Sequence, residues 1–316
     1  MNRNLFEVAW EVTDRCNLNC IHCYNPRKRR DISTKQAKRT LLEFRDMGVK
    51  QVKYGGGEPL LREDFLDLLV ETLKLGLDST FSTNGFIVNS GLVSKIQSTG
   101  VSRIQVSLDG TEETHNFIRQ NPESYTHAIS AIKMFVRAGF KVSVATTLMN
   151  VNINCLDDLF RVCSDLGVNR WRVMKYIPTA KKDLMPSVEE YLLAQVEIKE
   201  FKARSKGMDV FAVREFDQLC ESSDNHDLLC FGGRTIMSVR ANGDVSPCSY
   251  FPDYVVGNLE YQSARSLWES EKMVEFAREV KGDPRCKHFI LCQGGCKAAS
   301  FYAGNRKCDP YCWVKI

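Results

Sequence analysis

The chain has 316 residues, of which 43% are hydrophobic and 26% are charged, and its net charge is +4. This length suffices for one barrel-sized domain and a smaller module. The weak, dispersed charge argues against a nucleic-acid partner. Because the amino-terminal residues lack an apolar signal segment and no apolar run reaches the roughly 18 residues of a membrane span, the sequence predicts a cytoplasmic protein without membrane contact.

The first half of the chain alternates between strand-like and helical patterns, which is typical of βα units that form a parallel sheet. We count six units. The predicted strands lie near residues 7–13, 51–54, 78–82, 102–107, 141–147 and 169–174. The predicted helices lie near residues 34–48, 63–76, 89–99, 124–138 and 155–166. A glycine follows each helical run and predicts its end: Gly48, Gly76, Gly100, Gly139 and Gly167.

Six βα units predict an α/β fold of the partial (β/α)6 TIM type, an incomplete barrel with a lateral opening for a bulky substrate. A further helix near residues 187–206 completes its side, and a polar connection follows around residues 221–227. In α/β barrels the chemistry lies at the carboxyl ends of the strands. We place this domain at residues 1–228 and a small cysteine-rich domain at residues 229–316. The second domain begins with a hairpin that turns at Asn242-Gly243.

Thirteen cysteines without an export signal indicate metal binding rather than disulfides. Cys16, Cys20 and Cys23 form a CxxxCxxC motif directly after the first strand. Three thiolates leave one iron of a [4Fe–4S] cluster open to a small molecule, although a zinc half-site uses the same residue type. Three more motifs follow strands 2, 3 and 4: GGGEP at residues 55–59, STNG at 82–85 and SLDG at 107–110.

These motifs, in this order and spacing, resemble the radical S-adenosylmethionine (SAM) enzymes. The resemblance implies that Cys16, Cys20 and Cys23 hold a [4Fe–4S] cluster whose open iron binds SAM. A reduced cluster then splits SAM to methionine and a 5′-deoxyadenosyl radical, which abstracts a hydrogen atom from the substrate. No motif assigns an acid or a base, so the catalytic residues stay unknown.

The resemblance also implies residues that contact SAM. Gly56, Gly57 and Glu58 correspond to the motif that binds its amino group, and glycine permits close approach. His22 stands at a position near the adenine, or else supports the loop through its ring N–H. Arg119 fits either the methionine carboxylate or a surface ion pair. Four short polar side chains fit the ribose hydroxyls and the carboxylate, although Asp109-Gly110 is also typical of a turn: Ser82, Asn84, Ser107 and Asp109.

The carboxy-terminal cysteines resemble the SPASM domain, which holds auxiliary iron–sulfur clusters. By position in the motif, the first auxiliary cluster would be held by Cys230, Cys248 and Cys296. The second would be held by Cys286, Cys292 and Cys312. The commonest pattern has a further cysteine where this chain has Asp283. Either Asp283 is an oxygen ligand, or the second cluster has an open iron, or Cys308 supplies a ligand. Cys308 also fits a replacement for Cys312 or a packing residue. Zinc remains the rival metal.

The pattern is most similar to the radical SAM branch that matures pyrroloquinoline quinone and mycofactocin, which acts on short ribosomally made peptides. We therefore expect an oxidative peptide modification with one or two auxiliary clusters and an electron donor such as flavodoxin or ferredoxin. Because the chain begins almost at strand 1, we expect either a separate carrier protein for the peptide or no peptide substrate at all. The alternatives are a small-molecule substrate, such as a haem side chain or an aminocyclitol, and a noncatalytic electron carrier, which would need no open iron.

Overall fold

The computed structural model describes residues 3–25, 30–179, 181–212, 230–304 and 307–312. The strands are β1 Glu7–Thr13, β2 Gln51–Gly56, β3 Asp78–Thr83, β4 Arg103–Ser107, β5 Lys141–Leu148, β6 Arg170–Lys175, β7 Asp209–Ala212, β8 Ile236–Val239, β9 Asp244–Ser246 and β10 Gly257–Asn258. The helices are α1 Thr34–Asp46, α2 Phe65–Lys74, α3 Ser90–Ser98, α4 Glu112–Arg119, α5 Ser124–Arg137, α6 Leu156–Asp165, α7 Val188–Arg204, α8 Ala264–Glu269, α9 Glu271–Arg278, α10 Phe289–Cys292 and α11 Lys297–Tyr302.

All these strands belong to one sheet in the order β10-β9-β8-β1-β2-β3-β4-β5-β6-β7. Strands β1 to β7 run parallel, and β8 pairs in parallel with β1 at Glu7–Ile236 and Trp10–Val239. Strands β9 and β10 return antiparallel. The β8–β9 hairpin confirms the predicted turn at Asn242-Gly243, where Gly243 has a φ of +84°.

The two faces of the sheet differ because successive side chains of a strand point to opposite sides. In β1, Val8, Trp10 and Val12 are buried, and the Trp10 ring packs edge-on against Phe44 of α1 with ring centroids 5.7 Å apart. Glu7 and Glu11 alternate with them on the other face. The helices therefore cover the apolar face, and the opposite face is lined by polar side chains.

Helix boundaries follow local capping chemistry. Ser33 Oγ accepts a hydrogen bond from the Gln36 N–H at 3.2 Å and begins α1, and Ser187 begins α7 with a capping box to Glu190. The carboxyl end of α1 is followed by Gly48, whose φ of +79° matches its predicted place after the helix.

The partial barrel predicted from the sequence is confirmed, with two differences. Strand β7 and helix α4 add elements that the six-unit count did not include, and β8 joins the barrel sheet instead of standing apart from it. The proposed boundary at residues 228 and 229 and the polar connection at 221–227 fall outside the described residues, so the domain division stays a prediction. Among the described helices, none is both long and apolar enough to cross a membrane.

Candidate active site

The CxxxCxxC motif lies on a loop, residues 14–25, that leaves the carboxyl end of β1; we call it the cluster loop. Its three cysteines are half-buried, whereas Leu18 between them is buried. The Ile21 N–H donates to the Ile118 carbonyl of α4 at 2.9 Å. The loop backbone is thus attached to the barrel while the three thiols remain accessible.

The GGGEP motif holds the start of this loop. The Gly57 N–H donates to the Thr13 carbonyl at 2.7 Å, and the Glu58 N–H donates to the Arg15 carbonyl at 2.8 Å. A Cβ on Gly57 would overlap the Arg15 carbonyl, and one on Gly56, where φ is +124°, would overlap that of Thr13. In the structure, these glycines therefore allow the backbone of the cluster loop to approach closely. Their contact with the SAM amino group stays a prediction.

The Glu58 side chain is fully buried and faces the end of β3. Its carboxylate accepts hydrogen bonds from Thr83 Oγ1 at 2.9 Å and from the Asn84 N–H at 2.8 Å. Burial raises the pKa of Glu58 to about 7, against these hydrogen bonds, which lower it. Asn84 Nδ2 donates in turn to Asn17 Oδ1 at 2.9 Å, which connects β3 to the cluster loop.

Asp109 and Arg119 form a buried ion pair at the end of β4, with Nη2 and Oδ2 2.5 Å apart. Asp109 also accepts the Thr147 N–H at 2.9 Å. Burial alone would raise the pKa of Asp109, but the Arg119 guanidinium lowers it below its usual value. Arg119 Nη1 points to Cys20 Sγ at 3.7 Å. The surface ion pair considered for Arg119 is therefore wrong, because the pair is buried beside the cluster loop.

Two ring or guanidinium nitrogens at the cluster loop are buried without a hydrogen-bond partner among the described residues, His22 Nδ1 and Arg119 Nε. Burial and the nearby Arg119 charge lower the pKa of His22 to about 4, so its imidazole is neutral at pH 7. Unpartnered polar atoms of this kind call for a polar ligand. Together with three thiols, which are soft ligands for iron, they fit a cluster that carries SAM.

The two serines predicted to contact SAM lie on the polar face of the sheet. Ser82 Oγ accepts Gln105 Nε2 at 2.9 Å, and Gln105 Oε1 accepts Arg172 Nη1 at 2.8 Å. Ser107 is half-buried at the end of β4, where it pairs with Ala145 of β5. Their positions on the open face are compatible with a ligand contact, which stays a prediction.

A buried network that the sequence did not reveal connects the cluster loop to the carboxy-terminal segment. Tyr24 OH donates to Glu11 Oε1 at 2.9 Å, and Arg240 Nη1 donates to Glu11 Oε2 at 2.6 Å. Arg240 Nη2 reaches the Ser249 carbonyl, next to Cys248, at 3.2 Å. A glutamate within the apolar strand β1 was the one sequence feature that could have indicated this network. Nothing in the sequence indicated that its partner would be Arg240, which lies 229 residues away.

The first auxiliary set comes together in the carboxy-terminal module, residues 230–312. Cys230 and Cys296 are buried in one hydrophobic cluster, and Cys248 packs against it. The Ala299 N–H lies 3.5 Å from Cys296 Sγ at the start of α11. The predicted grouping of these three cysteines therefore agrees with their placement, while their binding of a cluster stays a prediction.

The cysteines of the second set, Cys286, Cys292 and Cys312, are half-buried, as is Cys308. In the part of the chain that the structure describes, no three His, Cys, Asp or Glu side chains converge closely enough to hold a single metal ion. Each thiolate of an iron–sulfur cluster binds a different iron, so the ligands of a cluster stand farther apart than those of one ion.

A second buried ion pair joins the barrel to this module. Lys175 Nζ at the end of β6 contacts Asp309 Oδ2, and both side chains are almost fully buried. Asp309 also accepts the Cys296 N–H at 3.1 Å and the Tyr311 N–H at 3.1 Å. The Asp309 carbonyl also accepts the Cys312 N–H at 3.0 Å, so this residue of the DPYC motif positions both Cys296 and Cys312, a role that no sequence pattern indicated.

Comparison with known proteins agrees with this geometry. Residues 10–163 match the family model of the radical SAM superfamily, and residues 230–297 match the SPASM iron–sulfur cluster-binding domain. The structure of SuiB from Streptococcus suis, bound to its precursor peptide SuiA, superposes with a TM-score of 0.82 at 18% identity, covering 98% of this chain and 76% of that one. At this identity the likeness shows the fold.

Two curated relatives align with nearly the whole chain. The AdoMet-dependent heme synthase of Methanosarcina barkeri is 28% identical over 96% of this chain and 95% of its own length. The mycofactocin maturase MftC of Mycobacterium tuberculosis is 29% identical over 94% of this chain and 79% of its own. The chain is therefore an enzyme of the radical SAM superfamily, with a SAM-binding [4Fe–4S] cluster and a SPASM domain for auxiliary iron–sulfur clusters.

Proposed function

We propose that this enzyme oxidatively modifies a ribosomally made peptide. The observation that carries the proposal is the alignment of the cluster loop, barrel and module with MftC, a maturase by name, over 94% of the chain. The polar face of an open sheet, with the cluster loop at its carboxyl rim, offers room for an extended substrate. This proposal includes the peptide substrate, the bond that is formed and the contacts of the predicted residues with SAM.

Cys16, Cys20 and Cys23 would hold the SAM-binding cluster, and Arg119 and His22 would meet SAM with their buried nitrogens. When bound, the reduced cluster and SAM supply a 5′-deoxyadenosyl radical that abstracts a hydrogen atom, and the auxiliary clusters accept the electron that an oxidation removes. Asp109 orients Arg119 toward Cys20, and neutral His22 adds no charge beside that guanidinium. Gly56, Gly57 and Glu58 fix the loop on which these groups stand.

The proposal includes two protein partners. A flavodoxin or ferredoxin would reduce the SAM-binding cluster, and a separate carrier protein would present the peptide. The cytoplasmic location predicted from the sequence supports both, because reduced thiols and low-potential carriers occur together in that compartment.

A small molecule is the second candidate, and one observation favours it. The haem synthase relative is matched over 95% of its length, against 79% for MftC. A tetrapyrrole with carboxylate side chains would place anionic groups on the polar face, where Arg172 stands. The aminocyclitol alternative lacks a comparable observation.

The experiment uses the full chain, reconstituted with iron and sulfide without oxygen and reduced by dithionite. We expect SAM to be cleaved to 5′-deoxyadenosine, and a Cys20→Ala variant to lose this cleavage. Short peptides encoded beside the gene are then supplied with deuterium on every carbon. Transfer of deuterium into 5′-deoxyadenosine is expected for the true substrate.

A tetrapyrrole that carries deuterated propionates is tested in parallel. Deuterium transfer from the tetrapyrrole and from none of the peptides would overturn the peptide proposal in favour of the second candidate. Absence of any 5′-deoxyadenosine from a fully iron-loaded enzyme would contradict both.

A further inference from the structure

Three segments of the module meet at their backbones: residues 281–286, 292–296 and 307–312. The Asp309 N–H donates to the Gly294 carbonyl at 2.9 Å. A Cβ on Gly294 would overlap the backbone of Lys281, and one on Gly282 would lie 3.0 Å from Gly294 Cα. These contacts leave no space for side chains between the segments. One cysteine or more stands beside the contact on each segment.

Each of these segments carries a cysteine next to the residues that make the contacts. The Gly295 N–H donates to the Cys292 carbonyl at 2.8 Å, and the Cys286 N–H donates to the Asp283 carbonyl at 2.9 Å. Cys308 directly precedes Asp309, whose N–H bonds to Gly294. The meeting of the three backbones therefore brings Cys286, Cys292 and Cys308 into one region of the module.

Cys308 also contacts the backbone of the position at which the commonest SPASM pattern has a cysteine. A backbone hydrogen bond from Asp283 reaches the Cys308 thiol. The extra cysteine of this chain is thus adjacent to the backbone of the position from which a cysteine is missing.

The Asp283 carboxylate is already engaged by Arg285. Its Oδ1 accepts the Arg285 N–H and Nε at 2.9 Å each, and its Oδ2 accepts Nη2 at 2.5 Å. The Arg285 hydrogen bonds hold the pKa of Asp283 well below its usual value. This fork engages most of the lone pairs of the Asp283 carboxylate, and iron–sulfur clusters prefer thiolates.

We propose that Cys308 is a ligand of the second auxiliary cluster, with Cys286, Cys292 and Cys312, in place of a cysteine at position 283. Asp283 instead fixes the loop through Arg285. This inference rests on the auxiliary clusters of the proposed function and not on the identity of the substrate. The second auxiliary cluster then has four thiolate ligands, one of which comes from Cys308 instead of from position 283.

The test counts iron and sulfide in a full-length background that lacks the first cluster through Cys16→Ala, Cys20→Ala and Cys23→Ala. This background should keep about eight irons in two auxiliary clusters. We expect Cys308→Ala to remove between about one and four of them and to change one of the two electron paramagnetic resonance signals of the reduced protein. Asp283→Asn keeps an oxygen that can accept the Arg285 N–H and Nε, so the loop should stay in place and both measurements should be unchanged. The matched core variant Cys155→Ala should likewise change neither.

A rescue variant separates a lost ligand from a lost fold. Asp283→Cys combined with Cys308→Ala should restore the iron content and the signal, because position 283 adjoins the Cys308 sulfur. The unchanged signal of the first auxiliary cluster reports that the module is folded. Unchanged iron and signals in Cys308→Ala, loss of iron in Asp283→Asn, or a double variant that stays depleted would overturn the proposal. None of these readouts depends on SAM cleavage or on a substrate.

Discussion

The cluster loop and the carboxy-terminal module hold cysteines by different means. The loop is attached to a barrel whose strands and helices form without it, through Gly57, Glu58 and Asn84. The module has strands of two to four residues and helices of four to eight, with segments that meet through glycines. Small folds with little regular structure depend on metals for their stability. The comparison predicts that the barrel prearranges its site, whereas the module depends on its metal for part of its stability.

Removal of iron should reveal the difference between the barrel and the module most strongly. Structural metals contribute on the order of 10 kcal/mol to the domains that they fold. After anaerobic chelation, we expect amide hydrogen exchange in residues 230–304 to accelerate at least about a hundredfold, and exchange in β2 to β6, which do not pair with the module, to change little. Mass spectrometry of peptic fragments measures both regions in one sample. Equal acceleration in the two regions would refute the distinction.

The Glu11–Arg240 pair tests the connection between the two regions. Both side chains are nearly fully buried, so Arg240→Gln removes the positive charge that faces the Glu11 carboxylate and should cost about 3–5 kcal/mol. Chemical denaturation of the iron-loaded enzyme measures this loss. The matched control is Arg170→Gln, which breaks an exposed pair with Asp209 and should cost less than about 1 kcal/mol. Similar losses in the two variants would contradict a special role for the buried pair.

Gly57→Ala tests the attachment of the cluster loop alone. The added Cβ overlaps the Arg15 carbonyl, so the loop must shift at a cost of about 1–3 kcal/mol. We expect loss of the SAM-binding cluster, about four irons, with the auxiliary iron retained. Gly55→Ala is the control, since its Cβ would meet nothing within 4 Å. Full iron content in Gly57→Ala would show that the loop tolerates the shift.

The smallest expected effect is a pH dependence that arises from Glu58. Its pKa rises from 4.5 to about 7 on folding, chiefly through burial. Between these values the unfolded chain releases the proton first, so the free energy of unfolding falls with rising pH by at most about 1.4 kcal/mol per pH unit. Glu58→Gln should remove this slope between pH 5 and about 7 in denaturation curves. A parallel slope in the variant would assign the effect to another group.

The sequence predicted most elements of the barrel because their buried apolar residues recur with the period of a strand or a helix. Examples are β1, with buried Val8, Trp10 and Val12, and α1, which begins after the capping residue Ser33. Strand β7 was missed because its four residues at the sheet edge carry too short a pattern, and α4 because it follows the SLDG turn directly. The cysteines could be assigned because their spacing is local.

Long-range pairs escaped the sequence for the opposite reason. Arg240 with Glu11 and Lys175 with Asp309 join residues more than 100 positions apart, and each residue alone reads as an ordinary surface charge. Asp109 and Arg119 were predicted as ligand contacts, and only the structure showed that they first neutralise each other beside Cys20. Burial of a charge is a property of the fold and has no local signature.

The parallel pairing of β8 with β1 has a consequence for electron transfer. Because this ladder joins the module to the first barrel strand, the barrel and the module cannot separate without breaking hydrogen bonds between β1 and β8. This ladder would therefore hold the distance that an electron must cross between the clusters of the two parts during turnover.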